Sequence, residues 1–201
     1  MSTEFASVLP EPAQTDGRRR RADVNRQRIV DAMMALVREG ETWPSAEAVA
    51  SRAGVGLRTV FRLFSDMDGL YREMHAVMIE RLTPIFHEPL GEGDWRFRLG
   101  ALIGRRARLF EEMLPIKSAA DAHRYQSPYL QVEHAQLVTV LRQILVFVVP
   151  ETVRADTMLV DALDLALSFE SWRRLRYDQN LDPAGAEAVM RRLADALVAG
   201  Y

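Results

Sequence analysis

The residue types that could do chemistry in this 201-residue chain are few, and most of their spacings exclude a reaction. There is no cysteine, which removes disulfides, thiolate metal sites and cysteine nucleophiles. The four histidines, His75, His87, His123 and His134, contain no pair at the i, i+4 spacing of a helical zinc site, and no HExxH motif is present. Glu111 and Glu112 are adjacent carboxylates, which a helix points roughly 100° apart, so they do not converge as an acid and base pair. No glycine loop of the phosphate-cradling kind occurs. An enzyme is therefore not expected, nor a metal or other cofactor.

The remaining chemistry is that of guanidinium. Residues 17–64 hold ten arginines against five carboxylates, a net of +5; residues 65–201 hold sixteen cations against twenty carboxylates, a net of −4. The first sixteen residues contribute −3, which closes on the overall −2. Positive charge gathered in one small segment of an acidic chain is what a local phosphate-binding surface requires, and it is also what a solvated basic face looks like. Arg18 to Arg21 form one run; Arg58 and Arg62 stand one helical turn apart.

These arginines must be positioned by helices. Ile29, Val30, Met33, Leu36 and Val37 make the apolar stripe of a first helix, with Asp23 as its expected cap and Gly40 as its end. A second begins after Pro44 with Ser45 as N-cap and runs to about Ala53. Gly54 sits at the turn, and a third carries Thr59, Val60, Phe61 and Phe64. Asp66 caps a longer fourth helix with Leu70, Met74, Val77, Met78 and Leu82 on one side, before Pro84. Ala50 is small enough for two helices to cross, Gly54 can take positive φ, and Val49, Ala53, Val55, Val60 and Leu63 are spaced for a shared core. Residues 46–65 thus follow the steric logic of a helix-turn-helix.

On these words, namely Asn25 to Met33, Ser45 through Ala53, Gly54-Val55 and Thr59-Val60-Phe61-Arg62-Leu63-Phe64, the chain resembles the tetracycline-repressor (TetR) family over about its first 80 residues. A less specific likeness covers Phe169 to Arg176. The resemblance implies an all-α homodimer with three N-terminal DNA-reading helices, a connecting fourth helix, and a C-terminal domain for ligand and dimer contacts. It implies that Thr59 bonds a phosphate. Phe61 stands where a tyrosine is usual, and Met67 where a lysine is common, so two phosphate-binding groups of the family are missing.

Arg58 is then the first choice for base readout, with Leu57 as an apolar contact; Arg62 and Thr59 are positioning residues, Phe61 packs against backbone or a thymine methyl, and Ser45 completes the expected DNA-binding set. Arg20 and Arg21 belong to a run that is either a minor-groove arm or a solvated tail.

Downstream, the punctuation is Gly91 to Gly93, Asp94, Pro115, Ser127-Pro128, Pro150 and Asp182-Pro183. Between these marks the pattern is helical, with long segments expected near 128–149 and 153–179, and no strand or repeat. Two broad apolar faces, in 157–176 and 186–199, suit either burial within the chain or a four-helix interface between two copies. Candidates to line a ligand cavity are Phe110, Met113, His123, Tyr129, His134 and Trp172. Arg105-Arg106 is a solvated pair or faces an acidic ligand.

The expected fold is all-α: a flexible basic-ended tail over 1–21, a helix-turn-helix DNA-binding domain over 22–66, and a ligand-binding and dimerisation bundle over 67–201. With no membrane span and no basic-then-apolar leader, the expected location is the cytoplasm. The expected function is a sequence-specific regulator of transcription, a repressor released from a palindromic operator by a small molecule, with a helical partner-binding protein as the alternative and a small helical enzyme as a weaker one.

Overall fold

The computed structural model describes residues 13–42, 44–64 and 66–201, and every regular element among them is helical. In chain order these are α1 (Ala13–Arg38), α2 (Ala46–Ala53), α3 (Leu57–Leu63), α4 (Met67–Phe86), α5 (Trp95–His123) and α6 (Pro128–Val148). They continue with α7 (Glu151–Arg154), α8 (Thr157–Ala166), α9 (Phe169–Arg173) and α10 (Pro183–Leu197). A 3₁₀ turn (Arg124–Gln126) leads into α6, and a π turn (Arg174–Asp178) extends α9.

Most helix starts follow from one local rule: a side-chain oxygen replaces a partner that the first amides lack. Asp66 accepts from the Gly69 amide, Asp94 from Phe97, Ser127 from Leu130 and Asp182 from Gly185. α1 departs from expectation. It begins at Ala13, so Asp23 lies inside it and residues 13–21 are helical; the arginines, alanine and glutamine are strong helix formers and together outweigh the cost of Gly17 within the helix. The rest of the expected tail, residues 1–12, lies outside the described residues.

Two further expectations are corrected. Pro115 does not start a helix but sits within α5, where it gives up the bond its amide would have made to the Glu111 carbonyl. The segment 153–179 is not one helix: Asp156 caps α8 through the Leu159 amide and Ser168 caps α9 through Ser171, so capping residues cut it into short pieces.

One hydrophobic core runs through the molecule. Ile29, Met33 and Met34 of α1, Leu70 and Met74 of α4, and Leu102, Ile103 and Phe110 of α5 are buried in it, as are Leu145, Leu163 and Trp172 farther on. α1 packs on α2, α3, α4 and α5, which seats the N-terminal helices on the bundle. Arg26 reinforces this seat: its guanidinium lies 5.0 Å over the Phe64 ring and 2.8 Å from Glu73 of α4.

Arg106 is the sharpest departure from expectation. It is buried rather than solvated, with Nη1 donating to the Leu167 carbonyl at 2.8 Å and Nη2 to the Leu141 carbonyl. Burial brings its pKa down to about 10, so it remains a cation inside the bundle, joining α5 to α6 and to the end of α8. Arg105 instead donates to the Glu88 carbonyl at 2.7 Å. No helix among the described residues is long and apolar enough to cross a membrane.

Candidate functional site

α2 and α3 form a helix-turn-helix. The Ser45 hydroxyl oxygen accepts from the Ala48 amide at 3.1 Å, as its position predicts, and its own hydrogen stays available to a phosphate. Gly54 has φ +65°, the left-handed conformation that turns the chain, and Val55 N–H closes onto the Ala50 carbonyl at 3.0 Å. Val49, Ala50 and Val60 are buried where the helices cross, with Ala53, Val55 and Leu63 packed at the margin.

The buried face of α3 fixes what its other face presents. Val60 and the following Phe64 point into the core, which leaves Arg58, Phe61 and Arg62 outward. Phe61 is 59% exposed, a large apolar ring with no burial to justify its place. Arg58 and Arg62 make no hydrogen bond or ion pair among the described residues, whereas Arg52 is held by Glu39 and Arg26 by Glu73. Thr59 is half-buried. Leu57 is also half-buried and packs against the core, so it has less surface for a base than expected. Arg20 and Arg21 are exposed on α1, and Arg21 Nε donates to the Gly17 carbonyl at 3.1 Å. The side chain of Met67 lies outside the described atoms.

A second feature lies behind this head. A pocket of about 400 Å³ lies between α4, α5 and α6 and opens to solvent at one side, at the small end of the range for ligand sites of ~300–1,000 Å³. Its deep walls are the buried Met74, Met78, Leu82, Leu109, Met113 and Ile116; exposed Ile79, Thr83, Gln136 and Val140 mark its mouth between α4 and α6. Of the candidates from sequence, Met113, Tyr129 and His134 line it. Phe110 packs edge-on to Phe169 in the core, Trp172 is buried with Nε1 donating to Glu111 at 3.2 Å, and His123 stacks on Tyr71.

Two polar groups interrupt the apolar lining, and the sequence alone does not reveal either, because each draws on helices far apart in the chain. In the first, His75 Nδ1 lies 2.8 Å from Glu133 Oε2 and 3.1 Å from the Tyr129 hydroxyl. In the second, Lys117 Nζ donates to Asp121 Oδ1 and to His134 Nδ1, the latter at 3.2 Å, and stands 5.4 Å over the Phe169 ring. Arg124 reaches Asp121 at 3.4 Å. Burial, and then the neighbouring Lys117 ammonium, hold the His134 pKa below the ordinary imidazole value, which keeps the ring neutral at neutral pH. Burial lowers the Lys117 pKa too, while its bond to Asp121 opposes the shift.

Asp121, His134 and Glu170 carry ligand atoms within 4.8 Å of one another, close enough to hold a metal ion. The Lys117 ammonium already engages two of the three, so a metal ion there would have to displace it.

No protein-family model and no curated protein matches the chain. Among solved structures, it is similar to the crystal structure of a transcriptional regulator from Rhodococcus sp. Rha1, with a TM-score of 0.65 and 18% identity over 89% of this chain and 96% of that one. At that identity the likeness shows a shared all-α fold and nothing further.

Proposed function

We propose that this protein is a sequence-specific DNA-binding regulator of transcription of the TetR type, acting in the cytoplasm as a homodimer whose grip on a palindromic operator is set by a small molecule in the α4–α5–α6 cavity. The observation that carries the reading is the exposed face of α3. Two arginines without partners among the described residues and an exposed aromatic ring project from the second helix of a helix-turn-helix, inside the one segment of the chain with net positive charge. Guanidinium groups so placed bind phosphate or read guanine in the major groove, and the Phe61 ring packs on sugar or a thymine methyl. In this reading Arg58 reads a base; Arg62, Thr59 and Ser45 hold the backbone; Arg20 and Arg21 add phosphate contacts from α1.

A dimer supplies the two-fold symmetry that a palindrome requires. Met158 and Leu165 of α8 are 80% and 70% exposed, and Leu193 of α10 lies open on the neighbouring helix. Apolar groups exposed at that level on packed helices suit a self-complementary face, which two copies would bury as a four-helix interface.

Selection of bound sequences from random duplexes, followed by salt titration of the winner, tests the reading. A palindrome with half-sites about one helical turn apart or a multiple of it, bound with a steep salt dependence, is the expected result. No enriched sequence and no salt-dependent binding would overturn it.

A further inference from the structure

The occupant of the cavity is constrained by how its polar groups are already spent. The titratable groups facing it are Tyr71 and His75 from α4, His87 just beyond α4, Lys117 and Asp121 from α5, and Tyr129, Glu133 and His134 from α6. The Lys117 ammonium is paired with Asp121. Of the two carboxylates, Asp121 also meets Arg124, and Glu133 meets His75 at 2.8 Å. Arg72 stands 5.1 Å over the Tyr129 ring from outside the lining. A charged head group entering an apolar cavity needs an uncompensated opposite charge to offset its lost hydration, and no such charge faces this one among the described residues. A neutral hydroxyl or carbonyl needs only a donor or acceptor, which Tyr129 and His134 supply at the boundary between polar and apolar walls.

From this arrangement we infer that the cavity takes a neutral lipophile, an apolar body lying along α4 and α5 with one uncharged hydrogen-bonding head group toward Tyr129 and His134, and that it discriminates against carboxylates and ammonium ions. Its part as the effector rests on the regulator reading; its chemistry does not.

The test uses the full chain without DNA. N-phenyl-1-naphthylamine, a neutral dye that brightens in apolar sites, reports occupancy, and 1-decanol, decanoate and decyltrimethylammonium compete with it near neutral pH below their micellar concentrations. Decanol is expected to displace the dye at a concentration at least about ten-fold lower than either ion, a difference of ~1.4 kcal/mol. Equal or better displacement by either ion, or no dye binding, overturns the inference. Leu137→Trp, at a half-buried wall position, and Val140→Trp, at the exposed mouth, should each abolish dye binding with the melting curve retained; dye binding unchanged in a folded variant would place the dye elsewhere and sink the assignment. Asp121→Asn releases the Lys117 ammonium and should improve decanoate about ten-fold; no improvement would refute the charge argument. Failure of operator selection with these results intact would remove the regulatory role and leave the ligand chemistry in place.

Discussion

The Ser127 hydroxyl donates to Asp68 Oδ1 across 2.6 Å while its oxygen accepts the Leu130 amide at 3.1 Å. One buried serine thus caps α6 and ties it to the first turn of α4, the helix that runs from the reading head along the cavity. Ser127→Ala removes both bonds and should lower stability by about 1–2 kcal/mol, seen as a fall of several degrees in Tm, whereas Asp68→Asn keeps an acceptor and should cost less. Equal losses in the two variants would deny Ser127 its double role.

Gly54 holds the turn at φ +65°, and a Cβ built there meets nothing within 4 Å. The cost of Gly54→Ala is therefore conformational rather than steric, about 1–2 kcal/mol in urea denaturation, with Gly54→Asn milder because asparagine tolerates this region. A neutral Gly54→Ala would show that the turn relaxes without penalty.

Arg58→Ala combined with Arg62→Ala should abolish binding to the selected duplex and leave Tm unchanged, because neither side chain holds the fold together. Retained binding would move the reading surface away from α3.

Replacing Arg18 to Arg21 by alanine preserves α1, since alanine is the best helix former, and should flatten the salt dependence of binding by about 0.9 in log–log slope for each phosphate no longer neutralised. An unchanged slope assigns the run to solvent.

Glu111 accepts Arg176 Nη2 at 2.8 Å and Nε at 2.9 Å, and the Arg176 bond, followed by that from Trp172, pulls its pKa below the ordinary 4.5. A carboxyl with a depressed folded pKa contributes stability that is complete above its unfolded value and disappears as pH falls through the folded one. Glu111→Gln should thus melt lower than the parent at neutral pH, with the gap closing below about pH 4. A gap independent of pH would exclude the ion pair as its source.

The elements most legible in the sequence are those fixed by neighbours a few residues away. Ser45, Asp66, Asp94, Ser127 and Asp182 each announce a helix start because the cap and its amide are three residues apart. Gly54 announces the turn for an equally local reason. What the sequence hides depends on distant partners. Pro115 has the look of a boundary, yet the packing of α5 on both sides outweighs one missing backbone bond. Arg106 has the look of a surface residue because its two carbonyl partners lie 35 and 61 residues away. The cavity is half visible: Met113, Tyr129 and His134 stand out as apolar or polar candidates, but His75, Lys117, Asp121 and Glu133 acquire meaning only once α4, α5 and α6 are brought side by side.

The buried Arg106 has an implication for how the bundle fails. With a pKa of about 10 it stays charged under every acidic condition, and its acceptors are backbone carbonyls that do not titrate. The Glu111 to Arg176 link, by contrast, dissolves on protonation. Acid therefore meets ties of uneven durability: the link from α5 to the π turn weakens, while the two Arg106 bonds that join α5 to α6 and to the end of α8 persist.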